Sequence, residues 1–410
     1  QIDARLIPCS VGQMIYYAAT GNQPTCLTVG TGLTITSGSI LTTGGVPQAI
    51  NIVTDYGCDP DDDGGSVDQT CFQSAINAAA ASGGLSVYVP SGVYNVSGLS
   101  IPGGVKVYGD GRTKSVIKST ANATIVALIE GTGANAFFGP SIRDLGIVGS
   151  LTAGTSQDGI SATDNAYMFN VRVDSVNIQD VGGDGLFIGN TYSSWFSDIY
   201  ITNVKEFPVH YNAPNMPHNE FTKIYVGNLT SDKAIAYRVR GGEFTCKGCN
   251  GINNVIGGSK WAVVGRKNGV DGDTAGLSAK FTCVDCNLET WVTNGVLSYY
   301  GSTVTLKGDT KVQMDNGGIG TGKPIEFDLA GNGVDYFAEL NPRGYIEDTV
   351  GFTKALTAYN LNQAIHSNGY PPIQTLGTGP WIVTAGRDRK STRLNSSHVS
   401  ESRMPSSACK

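Results

Sequence analysis

Charge is scarce in this chain: Asp, Glu, Lys and Arg together make up 15 % of its 410 residues, and there are only 4 histidines. A helical protein would not look like this. Long apolar runs are missing too. No stretch approaches the ~18 residues a membrane-spanning helix needs, and no basic segment followed by an apolar one opens the chain as a secretion signal would. Nor is there a basic excess. The net charge is −6, which argues against nucleic acid as a partner, and nothing in the sequence points to a cofactor. What is abundant is glycine, with 55 residues against about 29 at the ~7 % usage of ordinary proteins. Gly, Thr, Asn and Ser fill the spaces between short apolar runs, which suits many short strands and turns and not a helical protein.

The ends stand apart from the middle. The chain begins at Gln1 in mid-pattern, so the native start is expected upstream. Residues 388–398, DRKSTRLNSSH, and 402–409, SRMPSSAC, read as the in-frame translation of a widely used sequencing adapter. Segment 388–410 is therefore set aside from fold reasoning. It holds five of the 28 Lys+Arg and two of the 34 Asp+Glu, so the remainder has 23 basic and 32 acidic residues, a net charge of −9. Cys409 goes with it, leaving eight cysteines.

The middle repeats itself. Phe169, Phe196, Phe221, Phe244 and Phe281 open similar segments (FNVRVDSVNI, FSDIYITNV, FTKIYVGNL, FTCKGCNGI, FTCVDCNLE), separated by 27, 25, 23 and 37 residues. The last interval fits one unit plus the polar loop RKNGVDGDTAG at 266–276. Units of this size with period-2 alternation cannot bury an apolar face alone; they must stack at ~4.8 Å around one continuous core. The expected fold is all-β, a right-handed parallel β-helix (β-solenoid), with the five Phe in related rung positions. A propeller would need about 40–50 residues per unit.

Ahead of the repeats, Asp68 is placed to N-cap a helix near 69–82 whose apolar positions Phe72, Ile76 and Ala79 or Ala80 share a face, with Gly83-Gly84 ending it. Alternation then begins at Val87 and Val89, with turns at Pro90 and Pro102-Gly103. Such a helix would cap the open end of a solenoid, where an unpaired edge invites aggregation.

The stretch from Asn51, NIVTDYGCDPDDDGGSVDQTCFQSAINAAAASGGLSVYVPSGVYNVSGLSIPGGVKVYGDG, resembles the opening of the pectate-lyase-like superfamily, with the motif of its rhamnogalacturonase and epimerase type. LTVGTGLTITSGSILTTGG at 27–45 resembles the linkers of phage tail fibres and spikes. Together they imply a bacteriophage tail spike. Its stem or linker would occupy 1–46, the capping helix and first rungs 47–110, the β-helix 111–350 and a partial C-terminal region 351–387. A tail spike implies a parallel homotrimer in the virion, joined to the phage tail or baseplate through its N-terminal region, that binds and depolymerises a bacterial surface polysaccharide. The alternatives are a non-catalytic receptor-binding spike and a cellular pectate-lyase-like enzyme; the polygalacturonase run NTD…DD…HG is not found here.

Tail spikes of this kind cleave glycosidic bonds with paired carboxylates or eliminate across them with a base such as His, Lys or Tyr. Alignment of the rungs on their apolar positions brings Asp180, Glu206 and Asp232 to one turn, just after Ile178, Val204 and Leu229, with Asp184 nearby. Stacked carboxylates repel, which would raise one pKa beside an ionised partner; against this, turns are where Asp and Glu ordinarily meet water. His210 with Tyr211, and Tyr237 with Arg238, lie on the next strands. There a base and a guanidinium would serve lyase chemistry, although a lone strand His is more often simply packed.

YGCDPDDDG at 56–64 resembles the YG-x-DP-x-DD run of alginate epimerases, but Asp61 stands where those have histidine. Its Asp59, Asp61, Asp63 and Gly64 mimic half a calcium loop, yet position twelve is Thr70 and not a bidentate Glu, so the run reads as a solvated loop. Cys246-x-x-Cys249 and Cys283-x-x-Cys286 permit packed thiols, two stacked disulfides or a tetrahedral metal site, with Cys249 and Cys286 level with Ile201 and Val226. Cys58 and Cys71 are placed to pair outside a reducing compartment.

Overall fold

The computed structural model of the chain describes residues 49–314 apart from 62–66, 132–137, 163–166, 214–217, 229–232, 253–258, 292, 300–301 and 309; outside that span it describes only short strands. Two units are distinct, 1–50 and 51–410. The first holds two antiparallel hairpins, Gln13–Tyr17 with Pro24–Thr28 and Leu33–Thr36 with Ser39–Thr42. Segment 388–410 lies outside the described residues. So does most of 351–387, including the stretch around the paired strands Ala355–Leu356 and Trp381–Ile382.

The second unit is a right-handed parallel β-helix whose coils each pass through three faces. On the first face Leu99, Val126, Ile160, Leu186, Val209, Tyr237, Ala262 and Val296 pair one above the next, and all are buried. Alternation then obliges their neighbours to point outward. Those are Ser100, Ala127, Ser161, Phe187, His210, Arg238, Val263 and Leu297.

The second and third faces are two halves of one bent strand. Ser141–Val148, Arg172–Val181, Trp195–Val204 and Glu220–Gly227 bend at Asp144, Ser175, Asp198 and Lys223, each with φ near +50° (56, 53, 48 and 54). Asp accepts this left-handed conformation better than most residues. Parallel register places the four bends in one column, so Ser175 and Lys223 are held there by the neighbours on either side.

The core carries an aromatic column. Phe196 and Phe221 are register partners with rings stacked at 4.8 Å, Phe221 and Phe244 stack at 4.3 Å, and Phe244 pairs with Phe281. Between Phe221 and Phe244 the register slides by two residues, because Phe221 pairs with Cys246. Phe169 departs from the expectation: its partner is Tyr192, in the turn before the column, and Val173 holds the equivalent inward place.

The capping helix spans Val67–Ala81, with Phe72, Ala75, Ile76 and Ala79 fully buried. Asp68 lies inside its first turn. Its carboxylate accepts the N–H of Asp59 at 3.0 Å and of Asn95 at 2.8 Å, tying loop, helix and first coil together. Gly84 follows at φ +93°, where an added Cβ would lie 2.7 Å from the Gly104 carbonyl oxygen, so both conformation and space require glycine.

Cys58–Cys71, Cys246–Cys249 and Cys283–Cys286 are disulfides, all buried. Cys249 and Cys286 fall level with Ile224 and not with Val226, a consequence of the same two-residue slide. Asp59 Oδ1 accepts the N–H of Asp61, an ordinary loop turn; Asp63 and Gly64 lie outside the described residues.

Candidate functional site

Asp180 and Glu206, expected at one turn, are not register partners. Asp180 has φ +57° and is in register with Asn203 and Asn228, which share its left-handed conformation (φ 52° and 44°). Its carboxylate accepts the Asn203 side-chain N–H at 2.9 Å. Asp180 is thus a bend residue in an amide ladder. Glu206 sits three residues further along, its N–H bonded to the Gly183 carbonyl at 3.1 Å. Asp232 lies outside the described residues.

Asp184 and His210 do meet. The turn before the first face carries Asp184 one rung ahead of His210, and Nδ1 of His210 lies 2.5 Å from Asp184 Oδ2. The other carboxylate oxygen accepts the N–H of Phe207 at 3.0 Å. A carboxylate only accepts, so Nδ1 carries the ring proton and Nε2 presents its lone pair. The ring is fixed from two further sides, stacked on Phe187 at 4.4 Å and met edge-on by Phe207 at 5.2 Å. Among the described residues, Nε2 is buried without a hydrogen-bond partner. Burial holds the imidazole pKa below its ordinary range, against the opposing pull of Asp184, so the ring is a neutral base at neutral pH.

A third member comes from the preceding rung. Asp158 Oδ1 accepts the Asp184 N–H at 2.9 Å. Burial, and then the charge of Asp184, push the Asp158 carboxyl up to about 7. Asp158 and Asp184 thus lie on adjacent rungs, joined through the Asp184 backbone. Asp158 escapes a reading based on Phe spacing because its coil carries no Phe of the series. Its signal is the Asp-Gly pair 158–159, repeated one coil later at 184–185.

Arg238 is the register partner of His210 on the next rung, yet its charge is already met. The guanidinium is fully buried, donates to Asp273 at 2.6 Å and to the Gly265 carbonyl at 2.7 Å, and lies 3.2 Å from Asp271. Arg240 shares Asp273 at 3.2 Å. Both acids sit in the polar loop after Val264, so Arg238 anchors that insertion and is not free to neutralise a substrate carboxylate.

A family model described as rhamnogalacturonase A/epimerase, pectate lyase-like, matches residues 49–260, just over half the chain. The mannuronan C5-epimerase AlgE1 of Azotobacter vinelandii is 28 % identical over 199 residues, 40 % of this chain and 14 % of that protein. The chain thus spans about one seventh of that curated relative. Among solved structures, the A-module of the mannuronan C-5 epimerase AlgE4 from the same organism aligns at 19 % identity over 72 % of this chain and 88 % of that one, with a TM-score of 0.45. The enzymatically active domain of tailspike protein 2 from bacteriophage CBA120 aligns at 15 % identity over 77 % and 45 % of the two chains, with a TM-score of 0.49.

Proposed function

This chain belongs to the rhamnogalacturonase A/epimerase, pectate-lyase-like family, and on that premise we propose that it modifies an acidic polysaccharide by proton transfer at Asp158, Asp184 and His210. The observation that carries the reading is the division of labour within the trio. Both oxygens of Asp184 are engaged, one by Phe207 N–H and one by His210, which leaves it unsuited to attack an anomeric carbon and suited to orienting the base. His210 Nε2 is the base. It would take the proton from the carbon beside a uronate carboxylate, while the protonated Asp158 returns one, either to the departing glycosidic oxygen or to the opposite face of the same carbon. The first outcome is elimination and the second is epimerisation.

The setting we propose is a phage tail spike, its trimer joined to the tail through the hairpin region 1–46. A second reading, a spike that binds without catalysis, is favoured by one observation, the closure of Nε2 from solvent. Under the catalytic reading, substrate reaches Nε2 when the groups that cover it move aside.

Incubation of the purified chain with a panel of bacterial capsules and uronate polymers separates these readings. Unsaturated-uronate absorbance reports elimination, a changed uronate configuration by NMR reports epimerisation, and new reducing ends without unsaturation report hydrolysis. Retention of polymer with none of the three would establish the binder and exclude the catalytic reading.

A further inference from the structure

The second face carries a groove of about 1180 Å³ that belongs to none of this chemistry. It crosses five rungs, a run of about 19 Å at ~4.8 Å per rung. One outward column there is Ser86, Lys106, Ser141, Arg172, Trp195, and the next is Tyr88, Tyr108, Arg143, Asp174, Ser197. The two columns place cations directly over aromatic rings. The Arg172 guanidinium carbon lies 4.9 Å from the centre of its register partner Trp195, and that of Arg143 lies 5.3 Å from the centre of Tyr108.

A guanidinium lying over a ring has its face occupied and turns its N–H edge outward, where a carboxylate can be met by two parallel bonds. Lys106 and Arg172 make no ion pair among the described residues, and Arg143 reaches only its exposed chain neighbour Asp144, at 3.8 Å. Apolar surface lies open beside them, with Phe138 62 % and Trp195 38 % exposed. Gly139 lines the groove, and a Cβ there would fall 2.2 Å from the Phe169 carbonyl oxygen of the adjacent rung. The acid of the groove, Asp174, is engaged by the Ser197 hydroxyl.

We propose that this groove is a second, non-catalytic binding site for an acidic oligosaccharide lying along the solenoid axis, its carboxylates on Lys106, Arg143 and Arg172 and its sugar faces on Tyr108, Trp195 and Phe138. Charge decides the occupant. Three cations gathered in one groove of a chain with net charge −6 select a polyanion, the open rings select sugar faces, and the rung repeat matches extended saccharide units. The site's chemistry stands independently of the His210 reading.

The test is calorimetric titration of the full chain at low salt with hexameric oligogalacturonate and oligomannuronate, with a neutral dextran oligosaccharide as control, for wild type, R143Q/R172Q, W195A and K114Q, the last removing an exposed cation outside the groove. The site predicts binding of the acidic hexamers but not dextran, at least ten-fold weaker binding in R143Q/R172Q and in W195A, and unchanged binding in K114Q. Circular dichroism and melting confirm that the variants fold. Equal affinity in folded R143Q/R172Q and wild type would overturn it, as would an equal loss in K114Q. A change of oligomeric state in R143Q/R172Q by sedimentation would also overturn it, by assigning the groove to a second copy. Binding without any turnover would leave this site standing and remove the catalytic proposal instead.

Discussion

His210 Nδ1 and Asp184 Oδ2 are 2.5 Å apart, and this contact decides which nitrogen of the ring is available. Asp184 fixes the tautomer. Asp184→Asn preserves shape but offers an amide that can bond the ring in either sense, so the base is present only part of the time. If the trio is catalytic, turnover falls by about 10²- to 10⁴-fold, the range for a lost general acid–base contribution, while substrate affinity holds. Steady-state kinetics beside equilibrium binding checks both halves of that statement.

Asp158 supplies a pH signature. Its folded pKa, about 7, lies above the ordinary value of 3.8, so the folded state holds the proton more tightly and Asp158 contributes less stability as pH rises from about 4 to about 7. Asp158→Asn does not titrate. The melting temperature of wild type relative to D158N should therefore fall across that window, a comparison in which His210 largely cancels. The same proton serves as the acid in turnover, so wild-type activity should decline above about pH 7 and D158N should lose that limb.

The aromatic column predicts unequal costs for two residues that look alike in sequence. Phe221 is fully buried between Phe196 and Phe244, touching both rings. Phe221→Ala should cost about 3–5 kcal/mol in denaturant unfolding. Phe169 is only half-buried and stands outside the column, so Phe169→Ala should cost well under half as much.

The Cys58–Cys71 disulfide closes a loop with a sequence separation of 13. A loop near this length restricts the unfolded chain by about 3 kcal/mol. The double variant C58S/C71S should lose about that much stability, concentrated at the capped end. Hydrogen exchange should show the helix Val67–Ala81 and the first coils opening before the aromatic column.

These particulars show what could be read from sequence. The solenoid was legible because alternation and a recurrence near 25 residues are local, and the cap because Phe72, Ile76 and Ala79 share one helix face. Register was not legible. It depends on single left-handed residues such as Ser175 and Lys223, whose types do not announce the conformation, and on the two-residue slide between Phe221 and Phe244. Alignment on apolar positions set Ile178 against Val204, and so Asp180 against Glu206, when Ile178 pairs with Ile201 and Asp180 is level with Asn203. His210 and Asp184 were visible as residues but not as a pair. Asp158 and the Arg143–Arg172 groove were not visible at all, because outward columns carry no apolar period to betray them.

The most direct test of the central claim is hydrogen exchange at carbon. Wild type and His210→Gln are incubated with oligomannuronate and oligogalacturonate in deuterated water, and deuterium at the carbon beside the carboxylate, together with unsaturated ends, is followed by NMR and absorbance. The account predicts deuterium or unsaturation with wild type on at least one of the two substrates, reduced at least a hundred-fold in H210Q with substrate binding retained. Equal rates in wild type and folded H210Q, or cleavage by wild type with no exchange and no unsaturation, would contradict it.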